Sequence, residues 1–302
     1  MRAPSRSRLL TASLASLAVL LVAASEPRQK KPKIDLPALL DLHNKARAEA
    51  KLGKLTLSDK LVAAAKVQAK DMADHDNMAH EGSDGSTADV RVKAQGYHFQ
   101  VVGENVAMGQ KTAAEVMRSW MESPHHKDNI LRPEFTEIGL ACYVTADGVA
   151  WWCADFGKPW PTIDPAKDGA AMLGALNEAR AEDDALKPFK PNAKLAAAAQ
   201  KHAQETADAG KFIDREAGAR TPLQRAQAEG YAGIGISLSD AIGHADAAKA
   251  VKSWLGNEGS RKVLMGKYYE DVGIGVATDK DGVPYWSVMF GKPKPAPGRG
   301  GD

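Results

Sequence analysis

The side chains with the most evident chemistry in this 302-residue chain are imidazoles and a carboxylate in its first half. His80 precedes Glu104 by 24 residues, and Glu104 precedes His126 by 22, with His125 adjacent. Two neutral imidazoles are good zinc ligands, and a carboxylate can add a third ligand or act as a base on metal-bound water. These separations carry no signature by themselves, and a single His is more often a surface or hydrogen-bonded residue than a ligand.

More familiar enzyme signatures are missing from the sequence. It contains no phosphate-binding glycine loop, no nucleophile elbow and no local pair of His residues on one helix. Ser123 beside His125 is not evidence of a nucleophile, because a Ser-Pro pair has a simpler role in ending a helix. Any site must therefore be assembled from residues that the fold brings together.

The elements that would position these residues are of both kinds. Helical patterns follow Asp35 and Ser58, both of which are suited to cap a helix, and a third helix opens at the capping-box spacing of Thr112 and Glu115. Strand-forming residues are concentrated at 101–107, 135–145 and 149–156. Helices and strands are segregated rather than alternating, which favours an α+β layered domain over a doubly wound one.

The two cysteines can be placed relative to a predicted hairpin. If Asp147 and Gly148 are the two central residues of a tight turn, residues whose numbers sum to 295 face each other across the two strands. The numbers of Cys142 and Cys153 have this sum, so the two cysteines would be directly opposed. An exported chain with two directly opposed cysteines is expected to form a disulfide. The spacing does not resemble a redox pair, so we expect a structural bond.

The chain contains an internal repeat with an offset of 134 residues. The matching anchors are Gly96-Tyr97 with Gly230-Tyr231, Trp120 with Trp254, Gly139 with Gly273, and the Phe-Gly-Lys-Pro segments at 156–159 and 290–293. We therefore predict a first unit at 35–158, a linker at 159–169, a second unit at 170–293 and a disordered tail at 294–302.

The repeat provides an internal comparison of the candidate site. The same offset takes the three polar residues to other types: His80 to Asp214, Glu104 to Leu238 and His126 to Ser260. Trp120, Gly139 and the hairpin turn persist, so positions that determine the fold survive while the polar positions change. This pattern predicts a shared site in the first unit and a degenerate second unit with a supporting or partner-binding role, in which Leu238 could line an apolar groove.

The amino terminus resembles a secretory signal peptide. Arg residues precede a 16-residue apolar run from Leu9 to Ala24, and small residues follow it, so we predict a signal peptide at 1–25 and a linker at 26–34. The run is too short to span a bilayer comfortably, and no second run of that length follows. Removing 1–25 takes three of the 40 Lys and Arg and leaves 37 basic against 38 acidic residues, a balance that offers no footprint for nucleic acid. The mature chain is expected to be soluble and extracytoplasmic.

The motifs of the first unit resemble a known family. Met78-Ala79-His80, Gly103-Glu104-Asn105 and the segment from Trp120 to His126, together with Asn44, Arg47 and the segment 135–139, are similar to the bacterial branch of the CAP superfamily, whose module is also called the SCP domain. The resemblance covers the whole first unit and, through the repeat, the second. It implies a three-layer α-β-α sandwich with a central, mainly antiparallel sheet.

The resemblance also implies a shallow groove with two His and commonly two Glu, where a divalent metal such as zinc can bind. By motif, the metal-binding imidazoles fall on His80 and His126, and the first carboxylate falls on Glu104. Glu122 lies near the place of the second carboxylate, although its spacing from Trp120 is not a clean match. Glu104 and Glu122 are the candidate catalytic residues.

Three functions are compatible with these residues. The first is an extracytoplasmic binding module that takes a small molecule, lipid, wall component or protein and can hold a metal. The second is a metal-dependent, protease-like hydrolase, and the third is a structural or adhesion scaffold. The expected destination is the periplasm, the cell surface or the medium.

Overall fold

The computed structural model describes residues 31–213 and 218–294. The predicted signal peptide at 1–25 lies outside the described residues, as does most of the predicted tail. Residues 214–217, which include Asp214, are outside them as well.

The first repeat contains the three predicted helices and the three predicted strands, together with two short helices and one short strand that were not predicted. Its elements are α1 (Leu36–Glu49), β1 (Thr56–Leu57), α2 (Asp59–Asp74), α3 (Ala88–Ala94), β2 (Phe99–Met108), α4 (Ala113–Glu122), α5 (Pro124–Ile130), β3 (Glu137–Val144) and β4 (Ala150–Pro159). The Asp35 carboxylate caps α1 by accepting from the Ala38 N–H at 2.9 Å. Thr112 caps α4 in the same way, whereas Ser58 makes no side-chain cap bond at α2.

The second repeat copies this order. Its elements are α6 (Pro165–Arg180), β5 (Lys190–Pro191), α7 (Ala193–Ala209), α8 (Pro222–Ala228), β6 (Gly233–Ile242), α9 (Ala247–Leu255), α10 (Glu258–Leu264), β7 (Asp271–Thr278) and β8 (Pro284–Pro293). The helix α6 begins inside the segment 159–169 that the sequence analysis treats as linker, capped by Asp164. The domain boundaries themselves stay a prediction.

Each repeat is built on one four-stranded sheet. The strand order is β1-β3-β4-β2 in the first repeat and β5-β7-β8-β6 in the second. The short β1 pairs parallel to β3, and the two long pairings are antiparallel. The predicted α+β fold with a mainly antiparallel sheet is therefore confirmed, in two copies. The strand that carries Glu104, β2, forms an edge of its sheet.

Apolar side chains fill both faces of the first sheet. On one face, Trp120 of α4 packs with Leu39 of α1 and Phe156 of β4. On the other face, Ala65 and Met72 of α2 pack with side chains of β2, β3 and β4. Helices cover both faces, which gives the three expected layers.

The repeat anchor at Gly139 allows α2 to approach the sheet closely. A Cβ atom at this position would lie 2.0 Å from the carbonyl carbon of Leu61 in α2. Gly273 has the same relation, at 2.0 Å, to the carbonyl carbon of Leu195 in α7. Any side chain at either position would therefore force the helix away from the sheet.

Arg47 connects α1 to a distant loop. Its guanidinium donates to the carbonyl oxygens of Gly53, Ile130, Arg132 and Phe135 at 2.7–3.0 Å. Arg180 of α6 makes the corresponding bonds to Lys187, Leu264 and Gly266. This motif residue therefore holds the fold together in both repeats.

The predicted disulfide between Cys142 and Cys153 is wrong. Thr145 and Val149 close a three-residue loop in which Gly148 has φ +88°, so Cys153 lies opposite Ala141 and Cys142 lies opposite Trp152. A shift of one residue in register moves a side chain to the other face of a sheet. The two thiols are accordingly free, with Cys153 packed toward α2 and Cys142 against the α1–α4 face.

Within the described ranges, no helix is both long and apolar enough to cross a membrane.

Candidate functional site

The three predicted site residues come from three different elements. His80 lies in the loop after α2, Glu104 lies in the edge strand β2, and His126 lies in the short helix α5. The helix α5 was not predicted from the sequence, and it begins with Pro124 directly after Ser123, the residue that ends α4. A proline is favoured at the first position of a helix, so Pro124 stops the extension of α4 and begins α5.

His80 and Glu104 are in direct contact. The His80 Nδ1 donates to the Glu104 Oε1 at 2.8 Å. The imidazole is 61% exposed, whereas the Glu104 side chain is 3% exposed. A buried carboxylate therefore fixes one ring nitrogen of a solvent-reachable imidazole.

Arg91 of α3 completes this contact from within the protein. Its Nη2 donates to the Glu104 Oε2 at 2.6 Å and to the His80 carbonyl oxygen at 3.0 Å. A buried ion pair thus holds the carboxylate and the histidine loop together. Arg91 was not predicted from the sequence. The repeat offset does not single it out, because Arg225 occupies the equivalent place in the second repeat and pairs with Glu205.

Asparagine side chains attach α5 to β2 next to Glu104. Asn105 is fully buried, and its Nδ2 donates to the His126 carbonyl oxygen at 3.0 Å. Asn129 donates to the Glu104 carbonyl oxygen at 3.1 Å and to the Asn105 Oδ1 at 2.9 Å. These bonds place the half-buried His126 beside the same edge of the sheet.

The two imidazoles have opposite preferences for a proton. The hydrogen bond to Glu104 raises the pKa of His80, against the effect of partial burial. Burial, followed by the positive charges of His80 and His125, lowers the pKa of His126. Both effects favour a neutral ring at His126.

A tighter cluster of potential metal ligands lies behind His80. In the described part of the chain, one group of three or more His, Cys, Asp or Glu has all its ligand atoms within 4.8 Å of one another, and it consists of Glu104, Cys153 and Asp155. The ligand atoms of His80, Glu104 and His126 therefore do not all lie within 4.8 Å of one another. The three buried side chains form a possible metal site by residue type.

Asp155 is the most unusual member of this cluster. It lies opposite Glu104 in the β2–β4 pairing, is fully buried, and has no hydrogen-bond partner at either carboxylate oxygen. Burial and the charge of Glu104 raise the pKa of Asp155 well above its ordinary range, and burial does the same to the Cys153 thiol. The sequence offered no signal for Asp155 except its position three residues before the repeated Lys158 anchor.

Glu122 is placed apart from these residues. It is the last residue of α4 and is exposed. Among the described residues, no hydrogen bond or ion pair joins it to His80, Glu104 or His126. Its predicted role stays a prediction.

The comparisons with known proteins identify the same family in both repeats. A sequence model described as "Cysteine-rich secretory protein family" (CAP) matches residues 40–156 and 173–290. The uncharacterized protein YkwD of Bacillus subtilis (strain 168) is 36% identical over 121 residues, which are 40% of this chain and 46% of that protein. The match thus spans less than half the length of this relative.

Two solved structures match parts of this chain. An outer surface protein from Borrelia burgdorferi is 25% identical with a TM-score of 0.40, over 43% of this chain and 99% of that one. The crystal structure of Na-ASP-1 is 13% identical with a TM-score of 0.44, over 85% of this chain and 88% of that one.

Proposed function

The chain belongs to the cysteine-rich secretory protein (CAP) family, and we propose that its first repeat is an extracytoplasmic binding module that presents His80 and His126 to a divalent metal and a ligand. Proteins of this family are typically extracellular, in keeping with the predicted export. The ligand is a small molecule, lipid, wall component or protein outside the cytoplasm.

The observation that carries the proposal is the chain of bonds from Arg91 through Glu104 to His80. Histidines that bind metals characteristically donate their second ring nitrogen to a carboxylate, which fixes the tautomer and the orientation of the ring. With Nδ1 committed to Glu104, the Nε2 of the exposed His80 ring is the atom left for a metal. His126 supplies a second ring nitrogen, and its lowered pKa keeps that ring neutral.

The same bonds favour binding over hydrolysis. A general base must present a free carboxylate oxygen to water, but both oxygens of Glu104 accept bonds, one from His80 and one from Arg91. Glu104 is therefore better suited to orient His80 than to remove a proton from water. A metal bound between the imidazoles would supply a positive charge that attracts anionic or carbonyl oxygen atoms of a ligand.

Metal analysis of the purified protein tests this proposal. After equilibration with zinc and removal of free metal, His80→Ala and His126→Ala should each lose bound zinc relative to the wild type, because each removes one nitrogen ligand. His125→Ala is the matched control, since His125 is the exposed neighbour of His126 on the same helix.

Zinc retained equally by the wild type and by both variants would remove the two imidazoles as ligands. Zinc lost only from a variant of Cys153 or Asp155 would place the metal in the buried cluster instead.

A further inference from the structure

A cavity in the second repeat is formed by the end of α6, the loop that leads into β5, and the loop between α10 and β7. It has a volume of about 270 Å³, close to the lower limit of roughly 300 Å³ for typical small-molecule sites. The structure describes both loops completely. The charged and aromatic residues of the lining are Arg180, Lys187, Lys190, Lys267, Tyr269 and Glu270. Four of these six residues are basic, which makes the cavity a candidate site for an anion.

The three lysines of the lining are available to a ligand. Lys187, Lys190 and Lys267 are exposed, and within the described residues their ammonium groups make no hydrogen bond and no ion pair. The acid of the lining, Glu270, accepts a hydrogen bond from Lys292, and this bond lowers the pKa of Glu270. The charge of Glu270 is therefore offset by Lys292, and the other three ammonium groups keep their attraction for an anion.

Arg180 adds a donor from the wall of the cavity. In the first repeat, the Nη2 of Arg47 donates to the Phe135 carbonyl oxygen at 2.9 Å. Arg180 instead makes its bonds to carbonyl oxygens through Nε and Nη1, and within the described residues its Nη2 has no acceptor. Solvent still reaches this nitrogen. A guanidinium with one nitrogen open to a cavity is suited to donate to an oxyanion.

The first repeat lacks this set of charges. The bonds of the shared arginine and the pairing of the short first strand align the two repeats at this place. By this alignment, Lys187, Lys190 and Lys267 take the places of Gly53, Thr56 and Pro133. Three uncharged positions have thus become lysines around an arginine that both repeats keep. Packing does not require this change, because all three lysines are exposed.

Acidic residues lie nearby in the chain but not in the cavity wall. Residues 182–184 are Glu, Asp and Asp, and all three are exposed and lie outside the lining. The Asp183 Oδ1 accepts from the Ala185 N–H at 2.9 Å, so this carboxylate is engaged in its own turn. The groups that a bound ligand would contact are therefore mainly positive.

We propose that this cavity binds a phosphate group, either free or carried by a small organic molecule. Four basic groups supply more positive charge than one carboxylate neutralises, so they favour a doubly charged phosphate over a monoanion. The Tyr269 ring offers an apolar surface to the organic part of an ester. The second repeat is then a binding domain with its own specificity, and this site does not depend on a metal at His80 and His126.

Nuclear magnetic resonance of the ¹⁵N-labelled mature chain tests this site. The protein is first freed of metal, because a metal at His80 would itself attract phosphate. It is then titrated at constant ionic strength with inorganic phosphate, glycerol 3-phosphate and acetate, and the Nε–H signal of Arg180 reports binding at the cavity. Both phosphates should shift this signal in a saturable manner, and acetate should bind about tenfold more weakly or not at all. Tighter binding of the ester would identify the ligand as an organic phosphate, and equal affinity would identify it as free phosphate.

A double variant and a matched control complete the test. Lys190→Thr combined with Lys267→Ala should weaken phosphate binding by about tenfold, because two of the contacting charges are removed. Both side chains are exposed and unbonded, so the fold should be kept. Lys45→Thr, which removes an exposed lysine of α1, should bind phosphate as the wild type does. No saturable shift at Arg180, equal affinity for acetate, unchanged affinity in the double variant, or an equal loss in Lys45→Thr would each overturn the proposal.

Discussion

At the scale of single residues, the candidate site of the first repeat contains two buried carboxyl groups, those of Glu104 and Asp155, but among the described residues only Arg91 is buried with them to neutralise a negative charge. Arg91 forms an ion pair with Glu104, while Asp155 lies in the same cluster without a hydrogen bond. Two neighbouring carboxylates in a buried site cannot both ionise readily, so one of them holds a proton. Since Arg91 contacts Glu104 directly, Asp155 is the carboxyl that stays protonated, in agreement with its raised pKa.

This proton predicts how stability changes with pH. A raised pKa in the folded state means that the folded chain binds a proton that the unfolded chain releases above the ordinary Asp pKa of about 3.9. The free energy of unfolding should therefore fall as the pH rises from about 4 toward the raised pKa of Asp155. In Asp155→Asn this contribution disappears, so the variant should gain stability relative to the wild type with increasing pH.

Urea unfolding at a series of pH values from 5 to 8 provides the measurement. Asp128→Asn, which changes an exposed carboxyl on α5, is the control and should keep the wild-type dependence. An unchanged pH slope in Asp155→Asn would show that Asp155 is ionised in the folded protein.

At the scale of elements, the sequence predicted the three longer helices and the three long strands of the first repeat, but not β1, α3 or α5, and not how one strand is registered against the next. The Asp147-Gly148 pair fits a two-residue turn and also a three-residue loop that ends in a left-handed glycine. The structure has the second, and the difference of one residue separates Cys142 from Cys153. Local turn chemistry is nearly the same in both cases, so the cysteine positions could not be obtained from the sequence.

Thiol titration tests the register directly. Protein purified without reductant and then denatured should react as two free thiols, because the two side chains project from opposite faces of the sheet. Denatured protein that reacts only after reduction would contradict the observed pairing of β3 with β4.

The contact between His80 and Glu104 could be predicted from the sequence, because the family motif and the internal repeat both identified these two residues. Arg91, Asn105 and Asp155 were not, because their roles arise from contacts between elements far apart in the chain. A buried Arg or Asp has no distinguishing pattern in a sequence until its partner is known.

Helix packing on the sheet gives another prediction at this scale. Gly139→Ala places a methyl group 2.0 Å from the backbone of α2, so it should destabilise the first repeat by about 1–3 kcal/mol or more. Gly53→Ala is the matched control, since no atom lies within 4 Å of the added methyl group, and it should have little effect. Chemical denaturation of the two variants measures the difference; equal stability would mean that α2 shifts without cost.

At the scale of the whole molecule, the two repeats share their framework and differ in their polar interiors. Trp120 and Trp254 each donate an indole N–H to a carbonyl oxygen of the neighbouring edge strand, at 3.1 and 3.0 Å. The polar interiors, in contrast, hold the buried carboxyl groups of Glu104 and Asp155 in one repeat and the half-buried Asp240, bonded to His202 and Ser287, in the other. One framework thus carries two different sets of polar interior residues, which is expected when function resides in side chains placed on a common fold.

Separate cores predict that the first repeat folds without the second. Within the described residues, every buried apolar cluster draws its members from one repeat only. A chain that ends at Pro161, before α6, should therefore have about the same circular dichroism signal per residue as the full chain and should unfold cooperatively in urea. It should also keep any zinc that depends on His80 and His126. The truncation exposes His98 and Trp160, which lie beside Gly282 of the second repeat. A truncated chain that unfolds without cooperativity, and recovers it when the second repeat is added as a separate chain, would show that the repeats stabilise each other through this contact.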